Sequence, residues 1–414
     1  MSERLKAPRG TRDVLGEQAA AYAEVEQRAR GVLEAAGYER IETPAFEATE
    51  LFARGVGPAT DVVEKEMYTF EDAGGRSLTL RPEGTAPVCR AYLEHGMSRR
   101  PQPVKLWYMS SFFRFERAQA GRYRQFWQVG AEAIGSDDPA VDAESILLLA
   151  ELFDTLGVRG LRLRLSSLGT PRTRALYREQ LIEHLNRHAE QLSTEVRERM
   201  QRNPLRAFDS DHAGTRAVIA TAPKLLDALD SADREHFTAV RELLDDASLA
   251  YEVDPMLVRG LDYYTRTVFE FESAELGAQR GVGGGGRYDG LIEQLAGPPT
   301  PGCGWAAGVE RILLAGEPLA RAGAPVDLYV GFDAPQRRRV AFALATQARQ
   351  AGLHAQLELA GRSFPKGQLK HADRLGARFV ALLGADGVAL RQMDTGEQTE
   401  TASEGLIAQV LRRR

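Results

Sequence analysis

Residues 257–271, LVRGLDYYTRTVFEF, set Arg259 and Asp262 into a run of apolar and aromatic residues that otherwise reads as a buried strand with a turn. A guanidinium in such surroundings costs on the order of several kcal/mol unless a partner or a ligand compensates it. Two readings follow from the segment by itself. Either Arg259 pairs with Asp262 inside the protein, or its counter-charges arrive with substrates. The segments around it bear on that choice.

Downstream, residues 283–290 read GGGGRYDG. Four glycines do not serve strand stability, since each gives up conformational entropy on folding. They suit a place where a ligand lies against bare backbone, and Arg287, Tyr288 and Asp289 directly after them argue against a merely flexible loop. Residues 302–314, GCGWAAGVERILL, run small residues up to Gly308 and then open a helix with Glu310 and Arg311. Arg311 there is placed to reach a terminal phosphate, although the pattern also fits a packed strand–helix corner.

Upstream, residues 112–132, FFRFERAQAGRYRQFWQVGAE, read as a hairpin. Arg114 and Glu116 share one face of its first strand; Phe126, Gln128, Gly130 and Glu132 share one face of its second. A guanidinium that takes phosphate oxygens in fork geometry, beside a ring that stacks a base, suits a nucleotide. An ion-paired hairpin has the same pattern. Residues 81–85, RPEGT, put Glu83 and Thr85 on one side of an extended turn, a carboxylate and a hydroxyl able to bind an ammonium group.

The 414 residues suffice for two or three domains with separate cores. A hydrophobic share of 43% and a charged share of 27% describe an ordinary globular chain. No apolar run is long enough to span a membrane, and MSERLKAPRGTRDVLG lacks the apolar core of a secretory signal. Cys89 and Cys303 stand in dissimilar contexts, with neither a disulfide framework nor metal-ligand spacing. A cytoplasmic location is the expectation. The net charge of −5 excludes indiscriminate binding to nucleic acid but permits a local basic surface.

Apolar residues recur at three- and four-residue steps over residues 18–36 and stop at Gly37, which predicts an amphipathic helix. Short strands are predicted over residues 38–46 (interrupted by Pro44), 67–70, 77–80, 104–108, 112–115 and 126–133, and a helix over 142–156. Alternation within the short runs favours an antiparallel sheet. Residues 170–250 are charged, helical and poor in glycine, and read as a helical insertion because the chemistry resumes beyond them. Residues 326–414 alternate strand and helix, which predicts a mostly parallel sheet with helices on both faces. The expected organisation is therefore α+β, with a core over residues 1–169 and 251–320, the insertion over 170–250, and a carboxy-terminal α/β domain over 326–414.

Glu42-Thr43-Pro44, the FRFE hairpin and GVER resemble, in order, the three signature motifs of class II aminoacyl-tRNA synthetases. LVRGLDYYTRTVFEF and GGGGRYDGL are similar to two segments peculiar to histidyl-tRNA synthetases, and RPEGT, GRYRQF, PRGTRD and LKHADRLGARF strengthen the match along essentially the whole chain. That resemblance implies an antiparallel class II core and a two-step reaction. The carboxylate of L-histidine attacks the α-phosphate of ATP to give histidyl-adenylate and pyrophosphate, and tRNA(His) then accepts the acyl group. It implies that Arg259 and Arg114 are catalytic, Arg259 bridging the histidine carboxylate and the α-phosphate and Arg114 holding the α-phosphate. Arg114, Glu116, Phe126 and Arg311 would bind ATP, with Phe126 stacking adenine and Arg311 holding the γ-phosphate. Glu83, Gly84, Thr85 and Gln128 would surround the α-ammonium, and Glu132 and Tyr264 the imidazole nitrogens, with Tyr263 and Tyr288 nearby.

Magnesium is expected with the ATP phosphates, its protein ligands unassigned. Arg117 and Gln119 are implied contacts of the tRNA acceptor end, residues 326–414 an anticodon-binding domain, and residues 42–44 part of a homodimer interface. Ala118, Ala120 and Trp127 depart from the usual residues of the hairpin loop, and RSFPKGQLK (residues 362–370) is longer than the common form. The rival is a catalytically silent paralogue, a regulatory subunit of histidine biosynthesis. Such subunits tend to lose the arginine-bearing segment and the last domain, both of which this chain keeps.

Overall fold

A computed structural model describes residues 4–57, 60, 62–117, 121–201, 204–257, 261, 263–277, 280–319, 326–385, 387–402 and 405–413. The chain divides into two compact units, Met1–Ala320 and Arg321–Arg414. The first opens with α1 (Glu17–Ala35), β1 (Glu39–Arg40), β2 (Phe46–Ala48), α2 (Thr49–Gly55), β3 (Tyr68–Glu71), β4 (Ser77–Leu80) and α3 (Thr85–Glu94). A long hairpin, β5 (Val104–Phe113) and β6 (Gln125–Ile134), leads to α4 (Pro139–Thr155) and β7 (Leu161–Ser167). Four helices follow, α5 (Pro171–Arg187), α6 (Thr194–Arg199), α7 (Ala213–Ala220) and α8 (Ser231–Asp246). The unit closes with β8 (Glu252–Val253), β9 (Thr265–Ser273), β10 (Gly281–Arg287), α9 (Leu291–Gln294), β11 (Gly302–Gly308) and α10 (Val309–Ala315).

Eight strands form one sheet in the order β1-β5-β6-β11-β10-β9-β7-β8. Its six inner strands pair antiparallel, and only the short end strands β1 and β8 join in parallel. One face packs on α1, α4 and α8 through Val25, Leu33, Trp107, Ile146, Leu152, Val240 and Phe269, all fully buried. This is the antiparallel core flanked by helices that the alternation predicts, and it leaves the other face of β6, β11, β10 and β9 to build a cleft. A smaller sheet, β2-β4-β3, stands beside it.

Three local expectations change. Residues 38–46 make two short strands in different sheets, because Arg81 holds the ETP segment between them. Its Nη1 donates to the Thr43 carbonyl at 2.6 Å and its Nη2 to Glu42 at 3.1 Å. Residues 112–115 are not a separate strand: β5 runs unbroken to Phe113, and Arg114 lies just beyond it. Glu83 and Thr85 do not share an extended turn. Thr85 begins α3, and the Glu83 carboxylate accepts the N–H groups of Thr85 at 2.7 Å and Ala86 at 3.0 Å, as helix starts require.

The glycine run, expected where a ligand lies against bare backbone, forms the central strand β10. A Cβ at Gly285 would stand 2.0 Å from the Gly304 carbonyl oxygen, and one at Gly286 2.4 Å from that of Thr267. Close approach of neighbouring backbone therefore demands these two glycines, while Gly281, Gly283 and Gly284 also line the cleft.

The second unit contains β12 (Leu328–Phe332), α11 (Arg338–Gln350), β13 (Ala355–Leu357), α12 (Lys366–Arg374), β14 (Phe379–Gly384), β15 (Gly387–Gln392), β16 (Gln398–Thr401) and α13 (Leu406–Arg413). Alternate residues serve opposite faces. Leu328, Val330, Phe379 and Ala381 meet α11 and α13, whereas Tyr329, Val380 and Leu382 meet Ala372 of α12. Helices thus cover both faces, as the alternation predicts. The sheet order is β13-β12-β14-β15-β16, parallel only over its first three strands. The β14-β15-β16 meander is antiparallel because its connections are too short for a crossover, and Gly396 turns the second at a φ of 72°.

Candidate active site

The cleft over β6, β11, β10 and β9 has two lobes, of about 560 and about 210 Å³. Arg114, Gln128, Gly284 and Ala306 line both and form the seam between them. The lobes are the size and polarity of a small-molecule site with a few placed polar groups.

In the larger lobe four guanidinium groups converge, those of Arg114, Arg122, Arg280 and Arg311, with the carboxylates of Glu116, Glu270, Glu272 and Glu310. Arg114 is held from below: its Nε donates to the Pro82 carbonyl at 2.8 Å, and its guanidinium carbon lies 5.4 Å from the centre of the Phe126 ring. Glu116 is 3.1 Å from Arg122 and 3.9 Å from Arg114. Burial, and then the neighbouring Arg122 charge, pull the Arg311 guanidinium below its ordinary range. A polyanion placed there would offset both effects. The lobe therefore joins an aromatic plate to four guanidinium groups able to take phosphate oxygens in fork geometry, the chemistry of a nucleotide triphosphate site.

The smaller lobe is lined by Glu83, Gly84, Thr85, Tyr108, Tyr263 and Tyr264. The Tyr263 and Tyr264 rings lie 4.8 Å apart, and Tyr263 meets Tyr288 edge-on at 6.0 Å. Behind the wall sits the fully buried Glu132. It accepts the hydroxyl of Thr85 at 2.8 Å, of Tyr288 at 2.7 Å and of Tyr108 at 3.4 Å. Burial foremost, with the Glu83 charge adding to it, pushes the Glu132 carboxyl up to about 8 against the opposing hydroxyl donors. Burial raises Glu83 as well, opposed by two backbone N–H groups and by Arg114. One buried acid, Glu83, lines the lobe and a second, Glu132, stands behind its wall, so a cationic guest would favour the ionised form of both. The Gln128 side-chain oxygen, at the seam, is buried and has no hydrogen-bond partner among the described residues. An ammonium donor would satisfy it.

The structure brings Arg114, Glu116, Phe126 and Arg311 to the larger lobe, and Glu83, Gly84, Thr85, Gln128, Tyr263 and Tyr264 to the smaller. Glu132 and Tyr288 stand one layer back, bonded to each other and to Thr85. Arg117 is exposed, away from the described walls of both lobes. Arg259, Asp262, Gln119, Ala118 and Ala120 lie outside the described residues.

Sequence reasoning passes over Tyr108, Tyr123, Glu270, Glu272 and Arg280. The signal for Tyr108 is a hydroxyl-tipped ring in an apolar strand flanked in space by bare backbone. A Cβ at Gly84 or Gly130 would lie 2.4 or 2.3 Å from the end of that ring. The Arg287 of the glycine segment belongs to no lobe. It is fully buried against Asp142, Nη2 to Oδ1 at 2.6 Å, and anchors the end of β10.

Residues 10–312 match the family model described as histidyl-tRNA synthetase. A histidine–tRNA ligase of Thermosynechococcus vestitus is 45% identical over 417 residues, covering 99% of this chain and 97% of the relative. Another, from Halorhodospira halophila, is 48% identical over 384 residues, covering 92% of this chain and 90% of the relative. The crystal structure of apo histidyl-tRNA synthetase from S. aureus superposes with a TM-score of 0.82 at 36% identity, over 98% of this chain and all of the other. Likeness of that extent, in sequence and in fold alike, makes this chain a member of the histidyl-tRNA synthetase family.

Proposed function

We propose that the chain ligates histidine to tRNA(His): ATP and L-histidine give histidyl-adenylate and pyrophosphate, and the adenylate then acylates the tRNA, releasing AMP. The observation that carries this reading is the seam. Arg114 and Gln128 line an arginine-rich, nucleotide-sized lobe and a smaller, amino-acid-sized lobe that carries Glu83 at once, where a carboxylate and an α-phosphate have to meet. Holding both reactants in line removes much of the entropic barrier, and fixed cations stabilise the charge that gathers on the α-phosphate.

Phe126 stacks the adenine beside Glu116, Arg311 holds the γ-phosphate, and Arg114, together with Arg259, spans the α-phosphate and the histidine carboxylate. Glu83, Thr85 and Gln128 take the α-ammonium over Gly84. Glu132 and Tyr264 read the imidazole, with Tyr263 and Tyr288 closing the pocket. Reading polar atoms with buried polar groups rejects analogues that lack them far better than shape alone.

Among the described residues no three ligating side chains converge. Magnesium needs no such cage, because it keeps several waters and bonds phosphates with one or two carboxylates. Glu116, Glu270 and Glu272 line the phosphate end and would serve; the ion would neutralise phosphate charge there.

Arg117 and Gln119 contact the tRNA acceptor end, and residues 326–414 bind the anticodon. The chain acts in the cytoplasm as a homodimer, in keeping with Phe46 and Phe70, exposed and edge-on at 6.2 Å beside the ETP segment. No helix among the described residues is long and apolar enough to cross a membrane. The silent-paralogue reading is not favoured, since the relatives named histidine–tRNA ligase align over nearly the whole chain.

Incubation with ATP, labelled histidine and tRNA should give labelled tRNA in a histidine-dependent reaction. A chain ending at residue 319 should still form adenylate but charge tRNA worse by on the order of 100-fold, the loss of a few kcal/mol of RNA contacts. Undiminished charging by the short chain would remove the anticodon assignment. Absence of any charging by the full chain would refute the ligase reading.

A further inference from the structure

Glu310, the acid of the GVER segment, has no part in the chemistry above, yet it is nearly fully buried. Its carboxylate accepts the Trp127 backbone N–H at 3.2 and 3.1 Å and the Tyr22 hydroxyl at 2.9 Å. The β6–β11 ladder ends at the pair Gln128 and Gly308, so Trp127 lies one residue past its last strand partner. The Glu310 side chain continues the ladder where the backbone of β11 has turned into α10.

The consequence is positional. Trp127 stands between Phe126 and Gln128, and Glu310 directly precedes Arg311; these neighbours all line the nucleotide lobe. The same contact reaches the amino-terminal segment. Arg12 Nη2 donates to the Tyr22 hydroxyl at 3.0 Å, and Arg12 Nη1 to the Tyr123 hydroxyl at 3.1 Å, with its guanidinium carbon 4.2 Å over the Tyr123 ring. Tyr123 lines the lobe, whereas Arg12 and Tyr22 do not. Edge-on packing of Tyr22 on Trp127, at 6.0 Å, completes the loop. Burial, reinforced by the Glu310 charge, raises the Tyr22 hydroxyl, which keeps its proton and donates it to Glu310.

We infer that Arg12, Tyr22 and Glu310 form a brace that positions the nucleotide wall of the cleft, setting Phe126, Tyr123 and Arg311 in place before ATP binds. They are positioning residues, and the inference rests on the ATP reading of that lobe. The opening segment PRGTRD thereby contributes to the site from outside it, since its second arginine donates to the hydroxyls of both Tyr22 and Tyr123.

The test uses the full chain and the variants Tyr22→Phe, which removes one hydroxyl, Arg12→Ala and Arg12→Lys. In histidine-dependent ATP–pyrophosphate exchange, Tyr22→Phe and Arg12→Ala should each raise the KM for ATP about tenfold, the scale of one lost hydrogen bond, with the KM for histidine within about twofold of wild type. Calorimetric ATP binding without histidine should weaken by the same factor. The double variant should be little worse than either single one, because one unit is broken. Arg12→Lys should recover part of the loss. An unchanged KM for ATP in both single variants, or both KM values rising together, overturns the brace. A wild-type chain that binds ATP but exchanges no pyrophosphate refutes the functional reading alone, and the calorimetric ratios then decide the brace. A wild-type chain that binds no ATP overturns both.

Discussion

Replacing Arg259 by histidine is expected to lower histidine-dependent ATP–pyrophosphate exchange by about 10³-fold while the protein stays folded, the scale of removing one fixed donor from a charge-developing centre. The reasoning starts from residues 257–271. In sequence Arg259 stands beside Leu257, which is buried, and Leu261, Tyr263 and Tyr264, which line the small lobe, and a guanidinium in that company needs counter-charges. On the proposed reading the substrates supply two, the histidine carboxylate and the α-phosphate, at the seam where Arg114 lines both lobes. A structural pair with Asp262 predicts something different: the variant would lose thermal stability and keep most of its turnover. Near-normal exchange by a folded Arg259→His protein would remove the catalytic role.

Glu132→Gln carries the second large effect, and it has two arms. The carboxylate gathers three hydroxyls behind the small lobe, so replacing one of its oxygens by an amide leaves a hydroxyl donor or the imidazole unpaired. Leaving a buried donor or the imidazole unpaired costs about 1–3 kcal/mol, so kcat/KM for histidine should fall by up to about 100-fold while the KM for ATP holds.

The second arm is pH. An unfolded glutamate titrates at about 4.3, and the buried carboxyl is raised to about 8. Because the folded value is the higher, its contribution to stability is complete below the unfolded value and is lost as pH rises through the folded one, at about 1.4 kcal/mol per pH unit in between. The ligand-free wild type should therefore lose melting temperature from pH 5 to pH 8, and Glu132→Gln should lose less. Some slope should persist, because burial raises Glu83 in the same direction. Parallel melting profiles for the two proteins would show that Glu132 is ionised throughout.

Local pattern carries much of this architecture. The apolar period over residues 18–36 and its glycine stop match α1, Glu17–Ala35, with Gly37 at a φ of 84°. The alternation over 126–133 matches β6 within a residue at each end. The helix predicted from residue 142 begins at Pro139, because Asp138 caps it by accepting the Ala140 N–H at 2.8 Å, a start signal visible as Asp-Pro in the chain. Of the site, the residues that sit inside compact motifs are legible: Glu83, Thr85, Arg114, Phe126, Gln128 and Arg311 all reach the cleft.

What stays hidden depends on partners remote in sequence. Gly285 and Gly286 look like a ligand cradle until strands β9 and β11 are seen pressed against them. Arg287 meets Asp142 across 145 residues, and Tyr22 meets Glu310 across 288, spacings that no periodicity encodes. Glu270 and Glu272 reach the cleft only because β9 is paired antiparallel to β10 in a register that faces them toward it.

The central claim is that two lobes joined at Arg114 unite one amino acid with ATP. Pyrophosphate exchange by the wild-type chain, run with each of the twenty amino acids in turn, tests it most directly. Histidine alone should drive exchange. Exchange driven equally by another amino acid, or none with histidine, would contradict the account.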